Sequence, residues 1–363
     1  MDLSGCGKST LLLRKPLTLP RQVRFDSASL RAGPVCGAVS TSAVSRLMPK
    51  LSVIVPCYYN ELNIPITGPE LIANEQNFPP EVTFEYVLVD DGSRDGTWAA
   101  LQTFQQAHPE RVTLVKLAGN VGSYNAIVAG MAAATGECMA VITADLQDPP
   151  ELLVQMYTYW QQGLKLVLAN RADREEGFGQ QLVANTFHWL MRRIALPGIP
   201  SGGFDMVFFD RQLRDEVVRM QERNGNVFYL LVWLGYPYVS IPYRRRRRQV
   251  GQSRWTLSKK VKLFVDSLLS FSFFPVRAIS VLGLLLGGIA TLYGVFLLIL
   301  RLSGAPEPEG WTTLMLVVLF VSAFQMIALG VIGEYVWRGL DAARRRPMYV
   351  VEEQRPAVVR GGS

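Results

Sequence analysis

The sequence predicts an α/β fold: a mostly parallel sheet covered by helices on both faces, followed by a basic amphipathic segment and two membrane-crossing helices. Three observations predict it. Short apolar runs alternate with helical patterns between residues 51 and 169. Each of those runs is followed directly by polar and charged residues. Toward the C-terminus, residues 278–300 and 311–333 form two stretches of 23 residues without a charge.

The chain has 363 residues and a net charge of +7, and 49% of it is hydrophobic, enough apolar material to bury a core. Four cysteines stand far apart with no Cys-x-x-Cys pair, which excludes a disulfide-stapled module and a zinc knuckle. Residues 1–47 do not conform to the rest. SGCGKSTLLL near the start looks like the end of a phosphate-binding loop. The Gly required five positions before Gly7 is Asp2, however, and there is no room for the preceding strand. The following Arg-, Ser- and Pro-rich stretch has the composition of a transit peptide or of an over-extended translation start, with Met48 as the true one. It is expected to lie outside the fold.

Strands are expected at 51–55 (LSVIV), 84–89 (FEYVLV), 112–117 (VTLVKL), 139–143 (MAVIT) and 164–169 (LKLVLA), with helices near 96–107, 123–134 and 150–162. Near-continuous apolar strands alternating with helices belong to a parallel sheet buried on both faces. Ligands of such sheets bind beyond the carboxyl ends of the strands. Those ends read Pro56-Cys57-Tyr58-Tyr59-Asn60-Glu61, then Asp90-Asp91-Gly92-Ser93, then Asn120-Val121-Gly122, then Ala144-Asp145-Leu146-Gln147-Asp148, and last Asn170-Arg171-Ala172-Asp173-Arg174. One acidic turn is ordinary turn chemistry. Five polar clusters at five consecutive strand ends predict a site. Carboxylates without His or Cys suit a hard cation such as Mg²⁺ or Mn²⁺ bound together with phosphates. Arginines nearby suit phosphate recognition.

Each uncharged stretch would be about 34 Å long as a helix, enough to cross a hydrocarbon core of roughly 30 Å. The loop 301–310 holds one basic residue, whereas Arg244 to Arg248, Arg254, Lys259, Lys260, Lys262 and Arg277 precede the first span. Arg338 and Arg344 to Arg346 lie at or beyond the end of the second. Positive flanks stay in the cytoplasm. The expected arrangement is therefore a cytoplasmic domain at 48–243, a basic loop and interfacial helix at 244–276, two spans at 277–338, and a cytoplasmic tail at 339–363. Within 255–274, Leu257, Val261, Phe264, Val265, Leu268 and Leu269 recur at helical spacing opposite the lysines, as in a helix lying on anionic head groups. Placed there, the arginine run suits anionic lipid and a lipid phosphate better than nucleic acid.

VPCYYNELNI, VDDGSRDGT, NVGSYNAIVAG, ADLQDPPEL, SGGFDMVFF and RQVGQSRW occur in this order along the chain. As a set they resemble the family 2 glycosyltransferases with a Rossmann-like GT-A fold. The likeness is to the polyprenyl-phosphate type: dolichyl-phosphate mannose synthase and the bacterial undecaprenyl-phosphate sugar transferases with two C-terminal spans. It covers about four fifths of the chain. The resemblance implies transfer of a sugar from a nucleotide diphosphate, UDP in the two-span relatives, to polyprenyl phosphate with inversion. It also implies a bacterial inner-membrane location and a homo-oligomer. By the same resemblance Pro56, Tyr58, Glu61, Val89 and Asp91, with Ala144 and Asp145, would bind the nucleotide sugar. Asp145 and Gln147 would hold Mg²⁺ or Mn²⁺ against the diphosphate. Arg171 and Arg174 would bind the lipid phosphate, and Arg248 and Arg254 the lipid phosphate or the donor diphosphate, with Asp145, Arg171, Arg248 and Arg254 as the catalytic set.

Three departures stand out. Thr143 replaces the first Asp of the usual Asp-x-Asp metal motif, Arg254 replaces a Lys, and Tyr59 is an extra residue that leaves open which tyrosine faces the base. Asp148 either orients a sugar hydroxyl or starts a helix at Pro149. A processive polysaccharide synthase shares the fold, but Gln252 stands one residue too close to Arg254-Trp255 for its Gln-x-x-Arg-Trp motif. A catalytically dead nucleotide-sugar binder is the other alternative, with Thr143 as its lesion.

Overall fold

The computed structural model describes residues 48–171, 191–196, 199–200, 203–220, 222, 225–246, 266–267, 269–303 and 310–358. Arg174, Arg248, Arg254, the leading 47 residues and most of the expected interfacial helix lie outside them.

One eight-stranded sheet organises the domain, in the order β7-β5-β6-β4-β1-β2-β3-β8. β1 (Lys50–Cys57), β2 (Thr83–Asp90), β3 (Val112–Leu117) and β4 (Cys138–Val141) run parallel. β5 (Leu166–Arg171) joins them only through β6 (Phe204–Asp210), which is antiparallel to both β4 and β5. β7 (Tyr238–Tyr243) pairs parallel with β5. The carboxyl ends of β1 to β5 and of β7 therefore share one edge, and the amino end of β6 joins them there.

Helices α1 (Ile64–Ala73), α2 (Thr97–Ala107) and α4 (Leu152–Gln161) cover one face; α3 (Ser123–Ala133), α5 (Arg211–Met220) and α6 (Val227–Trp233) cover the other. Successive strand residues enter opposite cores. Val53, Leu88 and Leu114 pack under α1, α2 and α4, while Ile54, Val89 and Val115 pack under α3, α5 and α6. Two-sided burial explains why these strands read as apolar runs rather than as alternations. The sequence reading contained neither α1, whose Pro65, Gly68 and Pro69 break a helical pattern, nor the antiparallel β6.

The apolar stretches form α7 (Phe274–Leu302) and α8 (Trp311–Arg344), long and apolar enough to cross a membrane. Leu284, Leu292 and Phe320 are each at least 66% exposed, which calls for an apolar surround. α8 runs past the uncharged stretch into Glu334, Arg338 and Asp341. There Arg338 pairs with Asp266 (2.6 Å) and Glu334 (3.0 Å), and the Tyr335 hydroxyl donates to the Ser272 carbonyl.

The segment expected as a tail belongs to the sheet instead. After Arg345, whose φ of 48° stops the helix, Met348 enters the core and β8 (Val351–Arg355) pairs antiparallel with β3. The signal is weak in sequence because VEEQR carries three charges and little apolar surface. A strand of this kind suits a sheet edge. Both ends of the helical hairpin thus meet the same domain.

Candidate functional site

The site lies along the edge where the strands end. Its first half is built on β1, β2 and β3. The extra tyrosine of the opening motif is absorbed in a tight turn: Tyr59 has a φ of 55°, its N–H donates to Ser93 Oγ (3.0 Å), and its ring packs edge-on against Tyr58 at 4.6 Å. Both tyrosines and Pro56 are half-buried. Glu61 is exposed, and its carboxylate accepts from the Gly96 N–H (3.0 Å) at the start of α2. A Cβ at Gly96 would stand 2.5 Å from the Glu61 carboxyl, so a side chain there would displace that exposed carboxylate.

Asp91 anchors the β3–α3 loop. Its Oδ1 accepts from Val121 N–H (2.7 Å), and its Oδ2 accepts from Gly122 N–H (3.0 Å) and Asn120 Nδ2 (2.9 Å). Burial pushes its pKa up to about 6, partly opposed by those backbone bonds and helped by neighbouring Asp90. Asp90 is fully buried; one of its oxygens accepts from Ser93 N–H (3.1 Å) and the other has no hydrogen-bond partner among the described residues. Val89 differs from the expectation. It is fully buried in the core beneath α3, so its side chain lines no open pocket. Inside a two-faced strand, alternate residues must point into one core or the other.

The turn after β4 is the centre of the edge. Leu146 takes a φ of 51°, and Asp145 Oδ1 accepts from Gln147 N–H (3.3 Å). Ala144 is buried, with its carbonyl accepting from Thr67 Oγ1 (2.7 Å), which ties the turn to α1. Asp145 and Gln147 are half-exposed. Among the described residues no three His, Cys, Asp or Glu side chains cluster as a closed metal cage. One carboxylate and one amide fit a hard divalent cation that takes its remaining ligands from phosphate and water.

The second half is built on β5, β6 and β7. Arg171 Nη2 is hydrogen-bonded and ion-paired to Asp205 at the start of β6. Burial lowers the Arg171 pKa, and the neighbouring Arg245 guanidinium lowers it further; Tyr243 and Asp148 oppose both. Asp148 has no exposed surface. It accepts from Thr143 Oγ1 (3.1 Å) and from the Tyr243 hydroxyl, and Arg245 Nε lies 3.7 Å away. Thr143, which stands where the motif usually has Asp, is thus one of the two hydroxyls that satisfy this buried carboxylate. Asp148 neither points to solvent nor caps α4, whose N-cap is Glu151.

The arginine run is not a uniform face. Arg246 turns to Glu70 (2.6 Å) and Glu151 (2.8 Å), and its N–H donates to the Gln147 carbonyl (2.8 Å). Arg245 turns inward. Sequence reasoning missed Asp205, Tyr243 and Arg245. The available signals were the acid inside SGGFDMVFF and the tyrosine that ends YVSIPY immediately before the arginines.

Residues 52–219 match the model of "Glycosyl transferase family 2". The "Uncharacterized glycosyltransferase YkcC" of Bacillus subtilis is 35% identical over 303 residues, 83% of this chain and 93% of its own length. The "Bactoprenol glucosyl transferase" of Shigella phage SfV is 31% identical over 307 residues, covering 84% of this chain and 99% of that protein. Among solved structures, a mannosyltransferase from Pyrobaculum calidifontis aligns at 21% identity and a TM-score of 0.39, over 53% of this chain and 55% of its own. The family model and the relatives at 35% and 31% identity, matched along nearly their whole length, lead to one family: the chain belongs to glycosyl transferase family 2.

Proposed function

We propose that this chain transfers a sugar from a nucleotide-diphosphate donor, UDP-linked, to the phosphate of a membrane polyprenol, with inversion at the anomeric carbon. One observation carries the reading. A carboxylate turn and a guanidinium cluster meet at one sheet edge of a domain joined at both ends to an apolar helical hairpin. The bactoprenol glucosyl transferases match along 84% of this chain, which supports the same substrate class.

In this reading Asp91, Pro56, Tyr58 and Glu61 hold the nucleotide, and Asp145 with Ala144 lies beside the diphosphate. Asp145 and Gln147 would hold Mg²⁺ or Mn²⁺, which supplies positive charge for the leaving diphosphate. An acceptor phosphate needs no general base, because its second pKa of about 6 leaves it largely dianionic near neutrality. One of its oxygens forms the new bond to the anomeric carbon while the bond from that carbon to the donor diphosphate breaks. The chain's own contribution is positioning and electrostatics: Arg171 would bind the attacking phosphate, a role the motif set also gives to Arg174, Arg248 and Arg254. The basic flanks of the hairpin support a bacterial inner-membrane protein with its catalytic domain and both ends in the cytoplasm.

The test is a donor screen on the purified full-length protein in detergent, with undecaprenyl phosphate, Mg²⁺ or Mn²⁺, and a panel of UDP- and GDP-sugars. The expected result is lipid-dependent release of nucleotide diphosphate from one donor. Asp145→Ala should reduce that release by about a hundredfold or more. Nucleotide binding without release from any donor would sink the transfer reading and favour a binder.

A further inference from the structure

Among the described residues of this edge, Arg245 has hydrogen-bonding capacity left open. Its Nε is buried and has no hydrogen-bond partner among the described residues. Asp148 Oδ1 lies 3.7 Å away, an ion-pair separation but too long for a hydrogen bond. The next residue shows the contrast: Arg246 spends its guanidinium on two carboxylates at 2.6 and 2.8 Å. A buried N–H without an acceptor is unfavourable in a finished structure, and such groups occur where a ligand completes the set.

Asp148 explains why Arg245 stays there. A carboxylate with no exposed surface is tolerated only when it is bonded and faces a cation. Thr143 and Tyr243 supply the hydrogen bonds, so Asp148 attracts Arg245 without consuming its donors. Arg171 stands close by, anchored on its other side by Asp205. Two neighbouring guanidiniums repel, and this adds to burial in lowering the Arg171 pKa. A phosphate between them would relieve that repulsion and accept the open N–H.

We propose that Arg245 is a phosphate-binding residue of this site and that Asp148 is the positioning residue that aims it, so that Arg171 and Arg245 grip one phosphate group together. This rests on the transfer reading above. The phosphate could belong to the lipid acceptor or to the donor diphosphate. The cluster lies on the far side of the Asp145 turn from Asp91, which favours the acceptor.

The experiment measures steady-state turnover of wild type, Arg245→Gln, Arg245→Lys and Asp148→Asn in detergent, varying undecaprenyl phosphate and the accepted nucleotide sugar separately. Melting temperature and nucleotide-diphosphate binding are recorded for each variant. Arg245→Gln is expected to raise the acceptor KM roughly tenfold or more with the donor KM within about twofold. Arg245→Lys should recover part of the loss, because it keeps the charge but not the planar fork. Asp148→Asn should shift the same parameter in the same direction by a smaller factor. A rise confined to the donor KM keeps the phosphate grip and assigns it to the diphosphate. A folded Arg245→Gln protein with both KM values unchanged overturns the proposal, whatever Asp148→Asn does. Wild-type protein without lipid-dependent turnover would instead defeat the transfer reading, a result distinct from any variant effect.

Discussion

The two halves of the sheet edge differ in charge, in construction and in how they are held. The half on β1, β2 and β3 carries carboxylates. Asp91 and Glu61 there accept from backbone N–H groups at neighbouring strand ends, Asp91 from residues 121 and 122 and Glu61 from Gly96. The half on β5, β6 and β7 carries guanidiniums. Its partners are side chains carried by other strands: Asp205 of β6 for Arg171, and Tyr243 of β7, 95 positions on, for Asp148. Between them stands the β4 turn, with Asp145 facing one way and Asp148 buried on the other. The difference teaches that a nucleotide-side pocket can be assembled from successive strand–turn–helix units. A cation cluster needs the chain to double back, and here the antiparallel β6 does so.

The comparison is most severely tested at the C-terminal strand, which pairs with β3 of the carboxylate half. Val350 accepts from Ala118 N–H (2.9 Å), two residues before the loop that Asp91 holds, and Met348 is 7% exposed in the core. Ending the chain after Arg346 should cost about 2–3 kcal/mol from lost apolar burial alone. It should raise the donor KM more than the acceptor KM. Calorimetric titration with nucleotide diphosphate reads this directly; an unchanged affinity would remove the tail from the account of this half.

A smaller but sharper effect is expected at Gly92. Its φ is 66°, and a Cβ there would stand 2.6 Å from the Gly119 carbonyl carbon and 2.7 Å from the Asn120 nitrogen. Gly92→Ala must therefore move backbone as well as adopt a left-handed angle, at a cost of about 1–3 kcal/mol. A lower melting temperature with weakened nucleotide binding and a normal acceptor KM is the expected pattern.

The smallest effect is one of pH. Asp91 titrates at about 6 in the fold against roughly 4 in an unfolded chain. Its folded pKa is raised, so its stabilising contribution is fully present below about pH 4 and is lost as pH rises through 6. Nucleotide affinity should move oppositely, falling as pH drops through 6 and the charge that orders residues 120–122 disappears. Asp91→Asn should flatten both profiles between pH 4 and 7. A midpoint that persists in the variant would assign the titration to another group.

Much of the carboxylate half was legible in the sequence, and the reason is locality. Its strands are buried on both faces and so are continuously apolar, and its polar residues follow each strand end within a few positions. The guanidinium half was legible only in part. Arg171 follows a recognisable strand, but nothing local marks Asp205 as its partner. Asp148 was visible as a residue and not as a role, because its partners lie in β7 and the arginine run. Thr143 looked like a loss in the metal motif, and only its bond to Asp148 explains what its hydroxyl does.

By itself the sequence determined the fold class, the five strand ends that form the edge, the two apolar helices and the family. Each depends on periodicity, composition or motif order, which the chain carries locally. Only the tertiary structure decided that β6 reverses, that the C-terminal segment returns as β8, and that Arg245 and Arg246 turn to opposite sides. Those outcomes follow from which groups meet after the chain has closed on itself. Pairing between residues tens or hundreds of positions apart leaves no periodic trace.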